Sequence, residues 1–475
     1  MKYEAVIGLE VHVQLKTRTK IFCGCSTEFG RDPNSQVCPV CLGFPGVLPV
    51  LNKTVLEHAV KVSLALDCTV QEYTKFDRKN YFYPDLPKDF QISQYDLPVG
   101  RNGFLDITLE GGEKRVGILR VHLEEDAGKL IHKDDVSLVD FNRTGVPLLE
   151  IVSLPEMYSP EEAHAYLTVL KSVIEYLDVA DCDMEKGSLR CDANVSIRPH
   201  GEKALGTKTE VKNMNSFKGV KDALAYEIER QIEAVENGEK IVQETRLWDA
   251  KNGKTFSMRS KEEAKDYRYF PEPDLPPFIT TQEQIRKIKE TIPELPREKA
   301  ARFIREYGLC AYDAGILVFS KEDADYAEEC IRQYPGENKK PVVNWLIGPL
   351  FSEANTRNRG LAALGIPPAR LAELIDFVQS EQISNLTGKA VLTEMIDTQG
   401  TAPEIIKHKN LVQISDTGSL ETHIEEILRV NAQSVESYKQ GKSNALMFLV
   451  GQVMKKTQGK ANPKVVQELL KKKLS

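Results

Sequence analysis

From Ile7 to Leu15, in the stretch AVIGLEVHVQL, apolar and polar residues alternate without a break. Neighbouring residues of a strand point to opposite faces, so Ile7, Leu9, Val11, Val13 and Leu15 form one apolar face. Gly8, Glu10, His12 and Gln14 share the other. A period of two cannot give a helix one continuous apolar stripe, so this segment must be a strand with one face in a core. A carboxylate and an imidazole two residues apart on the polar face can share a ligand, and a metal ion suits their chemistry best.

The same pattern recurs. In ILRVHLEEDAG, Arg120, His122, Glu124 and Asp126 share one face, with Leu119, Val121, Leu123 and Glu125 on the other. In SLRCDANVSIRP, Arg190, Asp192, Asn194, Ser196 and Arg198 alternate with Leu189, Cys191, Ala193, Val195 and Ile197. KTEVKN adds Lys208, Glu210 and Lys212, and VPLLEIVS sets Glu150 among Leu148, Leu149, Ile151 and Val152. A single strand of this kind needs only solvent on its wet face. The recurrence of His, Glu, Asp, Asn and Arg points instead to one polar basin on rigid elements. Glu150 in its apolar setting requires a salt bridge or a metal.

Carboxylates with an imidazole, and no thiolate on that face, suit a hard cation such as Mg²⁺. Arg and Lys on adjacent strands suit phosphate oxygens. The combination reads as a Mg-nucleotide site, although the usual loops are missing. GEKALGTK at 201–208 lacks the GK[ST] ending, and there is no GxGxxG.

Directly after the first strand, Cys23, Cys25, Cys38 and Cys41 form two thiol pairs separated by 12 residues. This is the arithmetic of a zinc knuckle. Four thiols close the coordination shell, so the expected role is structural or RNA-docking. A redox role for Cys38-Pro-Val-Cys41 is the weaker reading, because no βαβ pattern surrounds it. The remaining five of nine cysteines are scattered singles, which argues for a reducing cytoplasm. No apolar run approaches the ~20 residues needed to span a bilayer. A net charge of −7 excludes a uniformly basic nucleic-acid binder but not a local patch. The basic tail KKTQGK and KKKL reads first as a solvated face.

At 475 residues the chain exceeds a single core. Strand signals dominate to about residue 290, and helical periodicity follows from ETIPELPREKAARFIREYG, with Pro296 at a helix start and Ala300, Phe303 and Ile304 on one face. The expected architecture is α+β: a large strand-rich domain over 1–293, an all-α domain over 294–405, and an all-α tail over 406–475. GKAVLTEMIDTQGTAPEII reads as a hinge between the last two.

IGLEVHVQL, CPVCLGFPGVLPVLN, FDRKNYFYPDLPKDFQISQ, DFNRTGVPLLEIVS, DANVSIRP, TEVKNMNSF and DYRYFPEPDLPP together resemble the B subunit of bacterial aspartyl/glutamyl-tRNA amidotransferase over nearly the whole chain. The resemblance implies a cradle domain with a kinase and transamidase site, a helical domain and a YqeY-like tRNA-binding tail. It implies a heterotrimer with an amidase A subunit and a small C subunit. The substrates would be Glu-tRNA(Gln) and Asp-tRNA(Asn), with ATP, and with glutamine or asparagine as nitrogen source. The chain itself has no Ser–Ser–Lys amidase centre and no Cys–His glutaminase signature, so ammonia must come from elsewhere. On this reading Glu10, His12, Glu124 or Glu125, and Glu150 hold Mg²⁺ and form the catalytic set. Arg78, Lys79, Arg190 and Lys208 face the phosphates, and zinc sits on the four cysteines. The competing readings are a noncatalytic tRNA-binding scaffold and a zinc-dependent hydrolase.

Overall fold

The computed structural model describes residues 2–258, 267–411, 417–439, 442, 444–457 and 461–474. Asp266 of the DYRYF motif and residues 458–460 of the basic tail lie outside them. The chain divides into two compact units, Met1–Leu295 and Pro296–Ser475.

The first unit is built on a nine-stranded sheet. From edge to edge it runs β14 (Lys254–Ser257), β13 (Thr245–Asp249), β12 (Thr209–Lys212), β11 (Leu189–Pro199), β1 (Tyr3–Gln14), β10 (Pro147–Ser153), β7 (Gly112–Glu125), β6 (Gly100–Leu109) and β2 (Thr69–Val70). All neighbours are antiparallel except β12 and β13. Three small sheets flank it: β4 (Asp77–Asn80) between β5 (Phe90–Ser93) and β15 (Phe270–Pro271), β3 (Tyr73–Thr74) with β16 (Phe278–Ile279), and the hairpin of β8 (Lys129–Lys133) and β9 (Val136–Asp140).

The apolar face of β1 is wholly buried at Ile7, Leu9, Val11 and Val13. It joins Ala163, Tyr166, Leu167, Leu170, Val173 and Ile174 of helix α2 (Pro160–Tyr176) in one core, where spacings of three and four put these residues on a single stripe. Ser159 caps α2 by accepting from the Glu162 N–H, with Pro160 in the first turn. A second helix, Phe217–Glu236, is capped in the same way by Ser216 and adds Val220, Ala223 and Leu224 to the core. The helices thus dry one face of the sheet and leave its other face to polar residues.

Two local expectations fail here. Leu119 does not face the core but is 44% exposed. Pairing shifts between Val152↔Arg120 and Ser153↔Ile118, so Leu119 is the extra residue of a β-bulge, and Ile118 takes the core position. The 388–406 segment, expected as a hinge with turn signals, is mostly helical. It lies in two helices, Asn385–Thr398 and Ala402–His408, that contact each other and bury Val391, Leu392, Met395, Ile405 and Ile406.

The second unit is all helix among its described residues, so the α+β organisation holds. Its first helix, Pro296–Tyr307, buries Lys299 and Phe303, while Ile304 stays exposed. The buried face is shifted because Lys299 pairs with Asp325 and Glu328 of helix Lys321–Gln333. A separate apolar cluster, including Leu420, Ile424, Leu449, Val453, Val466 and Leu470, forms the core of the last helices. The expected cut at 405/406 falls inside helix Ala402–His408. No helix among the described residues is long and apolar enough to cross a membrane.

Glu328 knits the start of this unit. It receives both guanidinium nitrogens of Arg302, at 2.7 and 3.0 Å, and Arg332 at 3.2 Å. The Arg302 hydrogen bonds, opposed by burial and helped by Arg332, hold its carboxyl at about 2. A carboxyl depressed on folding stabilises above its unfolded value and loses that contribution as pH falls towards the folded one. Melting followed by circular dichroism is therefore expected to lose stability between about pH 4.5 and 2, and Glu328→Gln should remove ~2 kcal/mol at neutral pH. A Glu328→Gln protein as stable as wild type at neutral pH would contradict this.

Candidate functional site

Strand register assembles the basin. His12 of β1 stands opposite Arg190 of β11 on one side and Glu150 of β10 on the other, and Glu150 stands opposite His122 of β7. Arg190, His12, Glu150 and His122 therefore form one row across four strands. Directly opposed side chains start about 5 Å apart, and here they converge. His12 Nε2 lies 3.2 Å from a Glu150 oxygen and 3.8 Å from Glu124. His122 Nε2 lies 3.5 Å from Glu150 and 3.8 Å from Glu124. Ligand atoms of His12, Glu124 and Glu150 all fall within 4.8 Å of one another.

Both carboxylates are buried, which by itself would neutralise them. For Glu150 that penalty is outweighed by His122, His12 and Lys79, which hold it well below the usual carboxylate range. For Glu124 burial is likewise overcome, chiefly by the neighbouring His122 imidazole. His12 is raised: burial opposes the imidazolium, but Glu150 and Glu124 favour it. Lys79 of β4 also faces this centre. Burial works against its ammonium, yet Glu124, Tyr269 and Glu150 keep it charged, and it sits 5.0 Å over the Tyr267 ring.

Glu10 lies one step along the same face of β1, where the Asn194 amide donates to it at 2.9 Å. Its carboxyl is raised by burial first, then by Glu150 and Glu210. Together with Gly8, Asn194, Ser196 and Lys208 it lines a cavity of about 290 Å³. Beyond it, Lys212 bridges Asp192 and Glu210.

Three sequence candidates are engaged with other partners. Glu125 follows the alternation to the opposite side, where it binds Lys88 at 2.5 Å and accepts from the Ile92 N–H at 2.9 Å. Arg78 is committed to a two-pronged pair with Glu272, at 2.7 and 2.8 Å, and rests on the Phe90 ring. Arg190 is in the basin row, but its guanidinium donates to Asp126 at 2.9 Å. Asp126 also accepts from Gln14 at 2.7 Å, which makes it a fixed hub at that end of the basin. His122 and Asp126 were legible as members of the polar face of β7. Only the cross-strand register shows that His122 meets Glu150.

The four cysteines do converge, with their sulfur atoms within 4.8 Å of one another. The thiol of Cys41 is pulled down to about 4, first by the Cys23 hydrogen bond against burial, and then by the Cys38 N–H and Lys20. Burial and the Cys38 thiol push Cys25 up to about 11. Lys20 is fully buried with its ammonium 3.7 Å from the Cys41 sulfur. A cation-backed quartet of converging sulfur atoms can hold a structural metal and is compatible with zinc.

The chain is similar to known proteins along its whole length. The family model described as the GatB/GatE catalytic domain matches residues 5–286, the unit that carries the basin. A second model, described as the GatB domain, matches residues 325–474. The chain belongs to the GatB family. Relatives from Carboxydothermus hydrogenoformans, at 56% identity, and Caldanaerobacter subterraneus, at 55%, align over all of this chain and 99% and 100% of their own lengths. One from Brevibacillus brevis is 53% identical, over all of this chain and 99% of its own. Each is named as the B subunit of an aspartyl/glutamyl-tRNA(Asn/Gln) amidotransferase.

The two neighbouring glutamates should separate cleanly in a family member built this way. Calorimetric titration with Mn²⁺ is expected to show at least tenfold weaker binding in Glu124→Gln or Glu150→Gln, on the order of the loss of one metal ligand. Glu125→Gln should keep the affinity but lose roughly 3 kcal/mol of stability, because Lys88 is left buried and unpaired. Equal Mn²⁺ loss in all three variants would sink this division of roles.

Proposed function

We propose that this chain carries out ATP-dependent amidation of a charged tRNA, acting on the side-chain carboxylate of Glu-tRNA(Gln) or Asp-tRNA(Asn). The observation that carries the reading is the buried His12–Glu124–Glu150 cluster with Lys79 beside it. The name shared by the relatives, an amidotransferase subunit for the Asn and Gln tRNAs, supports the substrate class. It also supports assembly with other subunits, of which an amidase A subunit would release ammonia and a small C subunit would complete a heterotrimer.

A carboxylate is a poor acyl donor, and phosphorylation solves this. One side-chain oxygen of the substrate attacks the γ-phosphorus of ATP, the bond to the β-bridging oxygen breaks, and ADP leaves. The nitrogen lone pair of ammonia then attacks the acyl carbon of the acyl phosphate and inorganic phosphate departs, carrying the bonding electrons. The surplus proton of the amine passes to phosphate or solvent.

The imidazole and carboxylate donors of His12, Glu124 and Glu150 suit Mg²⁺, with Glu10 next in line on β1. When bound, Mg²⁺ would offset negative charge on the phosphate oxygens. Lys79 gives the same oxygens a directed ammonium. Lys208, on the wall of the 290 Å³ cavity beside Glu10, suits the remaining phosphates of a nucleotide entering there. Arg78 and Arg190, being paired internally, are left out of that role. Burying two carboxylates would serve no purpose in a scaffold that only presented tRNA. Four thiols leave no open position for a zinc-dependent hydrolase, and the quartet is proposed as a structural zinc site.

In the reconstituted complex with Glu-tRNA(Gln), ATP and glutamine, His12→Ala should lower phosphorylation of the charged tRNA by ~10²–10³-fold. Glutamine hydrolysis by the partner should persist. Transamidation at the wild-type rate in His12→Ala would defeat the assignment.

The zinc proposal is tested separately. Metal analysis of the purified chain should find one zinc, and Cys41→Ser should lose it and melt at lower temperature while Mn²⁺ still binds the basin. Zinc retained at full stoichiometry in Cys41→Ser would place the metal elsewhere.

A further inference from the structure

The polar face of β1 does not end at His12. Two residues on, roughly 7 Å along the strand, Gln14 lines a second cavity of about 380 Å³, within the ~300–1,000 Å³ that holds small ligands. Its wall is unlike that of the cavity beside Glu10. Phe29 lines it while 77% exposed, in a turn where nothing in the core requires an aromatic ring. Lys129 supplies a cation, and Gln14 and Gln36 supply amides, whereas the Arg143 guanidinium donates to the Ala127 and Gly128 carbonyls at 2.8 and 2.6 Å. Of its three acidic groups, Glu28 is paired with Arg31 at 2.6 Å, Asp140 accepts from the Asn34 and Asn142 N–H groups, and Glu185 is followed by Lys186 on the same wall.

An exposed ring, a cation and amide groups are the chemistry that receives an unpaired nucleotide. The base stacks on the aromatic face, the phosphate meets Lys or Arg, and amides read the edges. The position is equally specific. Gln14 donates to Asp126, the hub that also holds Arg190 of the basin row, so cavity and basin share one wall. A glutamyl ester on a ribose seated here would carry its carboxylate four carbon–carbon bonds beyond the ester carbonyl, about 5 Å, towards His12 and Glu150.

We infer that this cavity receives the 3′-terminal nucleotide of the charged tRNA, with its base on Phe29 and its phosphate beside Lys129. The inference rests on the function proposed above and adds where the acyl end docks. The two substrates then approach from opposite ends of one strand. The nucleotide comes from the Gly8–Glu10 end and the aminoacyl ribose from the Gln14 end, and they meet at His12. Gln14 and Asp126 set the separation between the docked ribose and the phosphoryl donor.

The test uses the full-length chain and Glu-tRNA whose terminal adenosine is replaced by 2-aminopurine riboside, a base whose fluorescence is quenched on stacking. Wild type should quench the probe on binding, Phe29→Leu should abolish quenching, and Phe29→Tyr, which keeps a ring, should restore it. Lys129→Glu should raise the KM of the reconstituted complex for Glu-tRNA about tenfold, the size expected of one lost terminal contact. Phe29→Leu should leave Mn²⁺ affinity at the basin unchanged, which reports that the sheet is intact. An unquenched wild-type complex, or quenching in Phe29→Leu equal to wild type, overturns the inference and leaves the proposed function standing. If the labelled tRNA does not bind the wild-type chain at all, the proposed function falls, and this inference with it.

Discussion

The cross-strand register of β11, β1, β10 and β7 is the constraint on which the rest of this molecule depends. Side chains alternate with a period of two, so a slip of one residue would carry His12 and Glu150 into the core. It would also drive Val11 and Leu149, both fully buried, into the basin. The packing of α2 on the apolar face is therefore what holds the polar face in place. Core energetics and site geometry are two sides of one sheet, and a large-to-small substitution at Val11 or Ile151 would loosen both.

That arrangement stores a large electrostatic cost. Two carboxylates stand close together out of water, and they persist as anions because two imidazoles and Lys79 surround them. The surrounding charges are graded along β1. At Glu10 burial dominates and the carboxyl is raised, whereas one row further the imidazoles dominate and Glu150 is depressed. Beyond that, Asp126 ties down Gln14 and Arg190. The polar face is thus divided into a carboxyl raised by burial, an anionic cluster and a hub held by hydrogen bonds, each set by its neighbours and not by residue type.

What could be read from the sequence was what alternation alone dictates. The pairing of Glu10 with His12 on one face, of His122 with Glu124, and the α+β division followed from periodicity. Choosing between Glu124 and Glu125 needed only the same parity, and it failed to decide because a break in the pleat at the Glu-Glu pair was an open alternative. The break lies instead at Leu119, five residues earlier, where a bulge is invisible to hydropathy. Partners distant in the chain were equally hidden. Arg78 meets Glu272 across 194 residues, and no local pattern separates an arginine held by a carboxylate from one held for a phosphate. The 388–406 segment misled for a different reason. Its Gly400, Thr401 and Pro403 sit between the helices and at the start of the second, and those same residues signal loops when tertiary context is absent.

The internally paired Arg78 explains the residue beside it. β4 is only four residues long and lies outside the main sheet, so by itself it is a poor platform for aiming a lysine. Arg78 supplies the missing rigidity. Its paired hydrogen bonds to Glu272, its contact with Asp274 and its seat on Phe90 fix one face of the strand. Pairing of Phe270 with Arg78 closes the other edge of β4. Alternate residues of a strand point in opposite directions, so clamping Arg78 on one side turns Lys79 to the other, towards Glu124 and Glu150. The Tyr267 and Tyr81 rings then flank its ammonium at 5.0 and 5.9 Å. Of two adjacent cations, one holds the strand in place, and that hold is what allows the other to serve the basin.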